Sequence, residues 1–152
     1  MQVKKKMTRH VEVISRDANV RTAAIKMRDL DISVIPVCDG PKFVGILTDR
    51  DIVVRLAAEG YDATRTFVGA IMTRDLPYCF EDQNLDDAVT LMQFHQIAHL
   101  PILDRDRQLI GIVSLSDITA RLDECGTAAA LAEVCVSEIE NGQAESRVDR
   151  ER

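Results

Sequence analysis

A ten-residue stretch that the chain carries twice is the strongest constraint on its fold. Residues 43–52 reappear with the same pattern at residues 109–118. In each copy a glycine lies in an apolar run, and a hydroxyl residue and then an aspartate follow it. The hydroxyl and acid pairs are Thr48 with Asp51 and Ser114 with Asp117. A hydroxyl followed three residues later by an acid is typical of the capping box that opens a helix. The sequence therefore predicts a strand that runs directly into a helix, built twice.

The repeated motif allows two interpretations. A capping box alone satisfies free N–H groups at the start of a helix and needs no ligand. The glycines Gly45 and Gly111 favour a further role, because a glycine inside a strand costs stability unless something approaches the backbone closely. A helix N-terminus attracts phosphate, and a carboxylate is suited to accept hydrogen bonds from two ribose hydroxyls. A hydroxyl together with an aspartate thus indicates a nucleotide rather than a bare phosphate.

Local patterns predict the elements around the motif. Apolar residues at helical spacing after Asn19 predict a helix with Asn19 as its cap. The alternation from His10 to Ile14 predicts a half-exposed strand, and Asp39-Gly40 predicts a hairpin turn. The helix opened by Thr48 is predicted to run to Gly60.

The repeat also divides the chain. The predicted parts are a first unit at 3–60, a linker at 61–66, a second unit at 67–126, a C-terminal helix at 127–142 and a disordered, highly charged tail at 143–152. A duplicated unit of this length indicates a doubled small domain rather than a solenoid.

Further landmarks recur in both copies. A Met-Thr pair lies near the start of each unit, and an apolar-Pro-apolar segment precedes each glycine strand. These are Met7-Thr8 with Met72-Thr73, and Ile35-Pro36-Val37 with Leu100-Pro101-Ile102. With the Gly-x-x-Thr/Ser-x-x-Asp motif, they resemble the cystathionine β-synthase (CBS) domain, which occurs in tandem pairs called Bateman modules. The resemblance covers roughly residues 3–125.

The resemblance implies a fold, a function and a site. The fold is α/β, with two β-α-β-β-α units related by a pseudo-two-fold axis and their sheets packed together. The function is that of a non-enzymatic regulatory module and homodimer, which binds AMP, ADP, ATP or a related adenosyl ligand between its two units and acts on an unknown protein partner. No cofactor is required. The implied nucleotide-binding residues are Val13, Ile35, Pro36, Thr48, Arg50, Asp51, Tyr78, Leu100, Pro101, Ser114 and Asp117.

Each of these residues has an expected role. An apolar slot holds adenine, the two aspartates hold ribose, and the two capping hydroxyls hold ribose or phosphate. Arg50 could neutralise a phosphate, whereas its counterpart Ser116 is uncharged, so we expect a polyphosphate to prefer the first site. We also expect Asp51 to matter for ribose binding rather than for folding.

Composition excludes several classes of function. The 152 residues carry a net charge of −6, which disfavours binding to nucleic acid or to an anionic membrane. No apolar stretch is long enough to cross a bilayer, and the N-terminus lacks the apolar core of a signal peptide, so a cytoplasmic location is expected. The four cysteines show no Cys-x-x-Cys spacing, which indicates small buried residues rather than a zinc finger.

Two alternatives remain open. One is a dimeric structural or metal-linked stress-response protein with vestigial nucleotide sites. His95 and His99 lie four residues apart, but the repeat places His99 in a strand, so we assign no metal ligands. The other is an enzyme acting on a nucleotide, which ranks last because no catalytic constellation is readable and no catalytic residue can be named.

Overall fold

The computed structural model describes residues 1–119, and these form two three-stranded sheets, β1-β2-β3 and β4-β5-β6. The strands are β1 Ile14–Ser15, β2 Val34–Asp39, β3 Lys42–Thr48, β4 Cys79–Phe80, β5 His99–Leu103 and β6 Leu109–Ser114. The helices are α1 Val20–Leu30, α2 Asp49–Ile52, α3 Val68–Ile71, α4 Leu85–His95 and α5 Leu115–Thr119. Each sheet is thus accompanied by helices, and the predicted α/β class is confirmed. Within residues 1–119 no helix is both long and apolar enough to cross a membrane.

The first sheet forms as its local sequence predicts. Asn19 caps α1, because its Oδ1 accepts a hydrogen bond from the Thr22 N–H at 2.9 Å. The buried face of α1 packs in a core with residues of β2, β3 and α3. A two-residue turn joins β2 to β3, with Gly40 at a φ of +59°, which glycine adopts readily. The hairpin predicted from Asp39-Gly40 is therefore confirmed.

Two predicted elements differ from the structure. The strand predicted from His10 to Ile14 is wrong in extent, since only Ile14–Ser15 pair, in parallel with Val37 and Cys38 of β2. His10 has a left-handed φ of 55°, and Glu12 and Val13 are exposed, so sequence alternation there reflects no sheet face. The helix that begins after Thr48 also changes form, because α2 continues as a π-helical turn at Val53–Ala57.

Three of the predictions concern the C-terminal part of the chain, beyond residue 119. The predicted helix at 127–142, the tail at 143–152 and the end of the second unit lie outside the described residues. Gly60 does have the positive φ, +72°, that its predicted position after a helix requires.

The chain folds into two compact units that do not follow the sequence repeats. Among the described residues, one unit contains 1–9, 77–102 and 111–119, and the other contains 10–76 and 103–110. Each Met-Thr segment has crossed to the glycine strand of the other repeat. Thr8 exchanges two backbone hydrogen bonds with Ile112, at 2.8 and 3.1 Å, and Thr73 does the same with Ile46, at 2.8 and 3.0 Å.

These crossed segments explain the repeated glycines. A Cβ added to Gly45 would lie 2.5 Å from the Thr73 carbonyl oxygen, and one added to Gly111 would lie 2.7 Å from that of Thr8. The close approach expected at both glycines is therefore real, but protein backbone makes it. The glycines by themselves consequently give no support to a ligand.

Alanine at Gly45 should destabilise the protein by about 1–3 kcal/mol, because the strand must shift away from Thr73 to admit the methyl group. Thermal and urea unfolding measure the change, and Gly111→Ala should behave alike. An unfolding free energy equal to that of the wild type would contradict this account of the glycines.

Candidate functional site

The first strand-to-helix junction forms the predicted capping box. The Asp51 N–H donates to Thr48 Oγ1 at 3.1 Å, and the Thr48 N–H donates to Asp51 Oδ2 at 3.0 Å. Asp51 is only 7% exposed, and it is the one charged side chain that is buried within residues 1–119. A buried carboxylate must be paired or fully hydrogen-bonded to remain ionised at low cost. The buried Asp51 carboxylate therefore lies at a point where the protein supplies hydrogen-bond donors to it.

Asp51 has two further partners, Thr73 from the crossed segment and Arg55 four residues later on its own helix. The Thr73 hydroxyl donates to both carboxylate oxygens, at 3.1 Å to Oδ1 and 3.2 Å to Oδ2. Arg55 Nη1 lies 3.5 Å from Oδ1 and also donates to the carbonyl oxygens of Ile71, at 3.0 Å, and Met72, at 3.1 Å. Asp51 thus links α2 to the segment after α3. Because Asp51 is buried and bonded to Thr73, we expect this carboxylate to contribute to folding as well as to ribose binding.

The second junction repeats the capping box with fewer partners. The Ser114 N–H donates to Asp117 Oδ2 at 3.0 Å, the Asp117 N–H donates to Ser114 Oγ at 3.1 Å, and the Ser114 hydroxyl lies 2.6 Å from Oδ2. Asp117 is partly exposed, unlike Asp51. The Thr8 hydroxyl, counterpart of the Thr73 hydroxyl, makes no bond to Asp117. The two carboxylates occupy matching positions but different environments.

The residues proposed to hold adenine divide into two groups. Ile35, Pro36, Leu100 and Pro101 are fully buried, so none of the four offers exposed surface to a base. Val13 is 41% exposed, and Tyr78 is partly exposed with its ring in edge-to-face contact with Phe80 at 5.6 Å. Side-chain surface for a base is therefore offered by Val13 in one unit and Tyr78 in the other.

The structure keeps the strand residues beside their junctions. Val34 pairs directly with Thr48 across the hairpin, which places Ile35 and Pro36 on the strand next to the first junction. A backbone bond from the Leu115 N–H to Ala98 O, at 2.8 Å, joins the segment before Leu100 and Pro101 to the second junction. Arg50 is exposed on the first turn of α2. Each unit thus gathers the polar site residues predicted for one copy of the motif.

Sequence reasoning missed Thr73 and Arg55 as members of the first junction. The Met-Thr pair was recognisable as a repeated landmark, but nothing in the local pattern shows which strand it joins. Arg55 follows Asp51 by four residues, a spacing typical of ion pairs on a helix. That spacing was the available signal for Arg55.

The cysteines and histidines in the described part of the chain form no cluster suited to a metal ion. No group of three His, Cys, Asp or Glu side chains there could hold a metal ion. Burial raises the pKa of the Cys38 thiol, and burial together with the nearby Asp87 charge raises that of Cys79 to about 11. Both thiols are therefore protonated at neutral pH, whereas metals bind the thiolate. His95 ends α4, and His99 begins β5, where the repeat predicted a strand.

Comparison with known proteins decides the family. The family model described as the CBS domain matches residues 2–58 and again residues 68–124. The chain belongs to the CBS-domain family. This CBS-domain chain is 39% identical over 116 residues to the CBS domain-containing protein YhcV of Bacillus subtilis, covering 76% of this chain and 81% of YhcV.

Solved structures of CBS proteins agree with this assignment. Hypoxic Response Protein I with two coordinated zinc ions has a TM-score of 0.73 and 28% identity, over 80% of this chain and 99% of the other. The structure of CBSX2 in complex with AMP has a TM-score of 0.69 and 26% identity, over 80% of this chain and 96% of the other. The chain thus contains a pair of CBS domains, a type of module that is regulatory.

Proposed function

We propose that this chain is a non-enzymatic regulatory module that binds an adenine nucleotide at its strand-to-helix junctions. The observation that carries the proposal is the pair of capping-box carboxylates, Asp51 and Asp117, each beside a hydroxyl at the end of a glycine strand. The AMP complex of the similar CBSX2 supports adenosine as the ligand class.

In this proposal each aspartate accepts hydrogen bonds from the two hydroxyls of a ribose. The hydroxyls of Thr48 and Ser114 contact ribose or phosphate, and Arg50 contacts phosphate at the first junction. The base lies against Val13 in one unit and Tyr78 in the other. The module needs no cofactor and no catalytic group, and it passes nucleotide occupancy to a protein partner in the cytoplasm.

A panel of AMP, ADP, ATP, NAD and S-adenosylmethionine in thermal-shift measurements tests the proposal. A ligand present at about 100 times its dissociation constant stabilises the folded state by roughly 2.7 kcal/mol, so at least one adenosine compound should raise the melting temperature measurably. Guanosine and cytidine monophosphates serve as controls that share the ribose and phosphate. Equal shifts with all nucleotides would remove adenine from the proposal, and no shift with any would remove nucleotide binding.

We also propose that the chain forms a homodimer through an apolar groove. The groove has a volume of about 690 Å³ and is lined by Val54, Arg55, Glu59, Tyr61, Arg65, Thr66, Phe67, Ala70 and Ile71. Val54, Tyr61 and Phe67 are large exposed apolar side chains, and Val53 beside them is exposed too. Exposed apolar surface of this kind marks interaction sites.

The charges of the groove suit a second copy of the same chain. Glu59 and Arg65 both line it, and Arg65 is largely exposed, with a distant 3.9 Å pairing to Asp62. A two-fold interface joins the same surface of both copies, so the Glu59 of one copy can meet the Arg65 of the other twice. Light scattering at micromolar concentration should give the mass of two chains.

The metal-linked alternative is not favoured by the described residues. Zinc in the similar Hypoxic Response Protein I is the finding that raises it, while the described cysteines of this chain are buried and have raised pKa values. Elemental analysis of the purified protein distinguishes the two, since the nucleotide module requires no stoichiometric zinc.

A further inference from the structure

We infer that Thr73 closes the first junction against ribose, so that the second junction binds AMP more tightly. The inference rests on the proposed nucleotide function and adds to it which junction fills first and which side chain decides this. It reverses the preference that the charge of Arg50 alone suggests.

The carboxylate of Asp51 has partners on both of its oxygens without a ligand. A carboxylate has about four lone-pair positions on its two oxygens. The Thr48 N–H uses one on Oδ2, the Thr73 hydroxyl bridges both oxygens at 3.1 and 3.2 Å, and Arg55 faces Oδ1 at 3.5 Å. A ribose diol needs one position on each oxygen. The Thr73 hydroxyl contacts both oxygens, so it competes with the diol for them.

Further hydrogen bonds fix the position of Thr73. The Thr73 backbone exchanges two hydrogen bonds with Ile46. Arg55 Nη1 donates to the Thr73 hydroxyl at 3.3 Å and also to the carbonyl oxygens of Ile71 and Met72. The backbone cannot retreat without breaking these bonds. Opening the first junction therefore requires the hydroxyl to rotate away from Asp51 at the expense of two charge-assisted contacts.

The second junction lacks this closure within the described residues. All the bonds that these residues make to the Asp117 side chain go to Oδ2, from the Ser114 N–H and hydroxyl. The Thr8 hydroxyl makes no such bond, although its backbone pairs with Ile112 as Thr73 does with Ile46. Arg121, which matches Arg55 in the repeat, lies outside the described residues. A ribose hydroxyl can reach Asp117 Oδ1 without displacing any described side chain.

Positive charge does not favour the first junction alone. Arg50 is exposed near the first, while Lys6 and Arg9 flank Thr8 on the segment that pairs beside the second. Arg74 lies beside Thr73 as Arg9 lies beside Thr8, so both segments carry cations, and the inference rests on access to the carboxylate.

Calorimetric titration with AMP tests the inference one junction at a time. In an Asp117→Asn background, which leaves the first junction as the ligand site, Thr73→Val should tighten AMP binding by about three- to tenfold, because valine keeps the shape and removes the competing hydroxyl. Thr73→Ser, which keeps a hydroxyl, should match that background. In an Asp51→Asn background, Thr8→Val should change the affinity less than twofold.

Each result of these titrations either supports or overturns the inference about Thr73. Unchanged or weaker AMP binding by Thr73→Val, in protein whose melting curve remains cooperative, would overturn the inference. Thr73→Ala also removes the hydroxyl, so its AMP affinity serves as the test if the valine variant does not fold. Failure of the proposed function is distinct from this, because the wild type would then show no AMP binding before any variant is compared.

Discussion

Replacing Asp51 by asparagine is expected to weaken nucleotide binding at the first junction by roughly tenfold to several hundredfold, since two ribose hydroxyls lose an ionised acceptor. The same change should lower the free energy of unfolding by about 1–2 kcal/mol. Asparagine retains an acceptor for the Thr48 N–H, but it loses the charge that attracts Arg55 and strengthens the Thr73 bond. Arg55 is half exposed, so its share of that loss is small.

Asp117→Asn is the matched control for Asp51→Asn. Asp117 is partly exposed and its described partner is Ser114, so its loss should reduce stability by less than about 1 kcal/mol. AMP titration and urea unfolding of both variants separate binding from folding. If Asp51→Asn bound AMP and ATP like the wild type while losing stability, Asp51 would be a capping and packing residue alone.

Placing a charge in the apolar groove is expected to separate the homodimer. Phe67 is 60% exposed and lines the groove, and Phe67→Asp would force a carboxylate into the buried centre of the interface. Loss of an interface anchor of this size typically weakens association by at least about 30-fold. Sedimentation at micromolar concentration should then show monomers, with the melting curve of each chain still cooperative.

A second exposed phenylalanine supplies the control for Phe67→Asp. Phe94 is 81% exposed, lies at the end of α4 and does not line the groove. Phe94→Asp should leave the mass of the particle unchanged. Exchange of charge offers an independent check, since Glu59→Arg and Arg65→Glu should each weaken the dimer and together restore it. Dimers that survive Phe67→Asp but not Phe94→Asp would place the interface elsewhere.

The parts of the fold that follow from local chemistry could be predicted from the sequence. The capping boxes at Thr48 and Ser114, the Asn19 cap and the turn at Gly40 depend on residues within a few positions of one another. Periodicity and capping report such short-range requirements directly. The repeat then predicts two units of similar structure.

The parts that depend on distant pairing could not be predicted. Of the strand expected from His10, only Ile14–Ser15 pairs with β2, and its own alternation does not reveal which residues find partners. The crossing of Thr73 to Ile46 joins segments far apart in sequence, so no local pattern carries it. The same crossing makes Thr73 a partner of Asp51, and this is why the first junction holds a residue that motif reasoning omitted.

Titration of AMP into the wild type and into the double variant Asp51→Asn with Asp117→Asn tests the central claim most directly. Nucleotide held by the two capping-box carboxylates should give saturable binding in the wild type and binding at least about a hundredfold weaker in the double variant, with both proteins folded by circular dichroism. Equal AMP affinity in the two proteins would contradict the claim that these junctions form the nucleotide site.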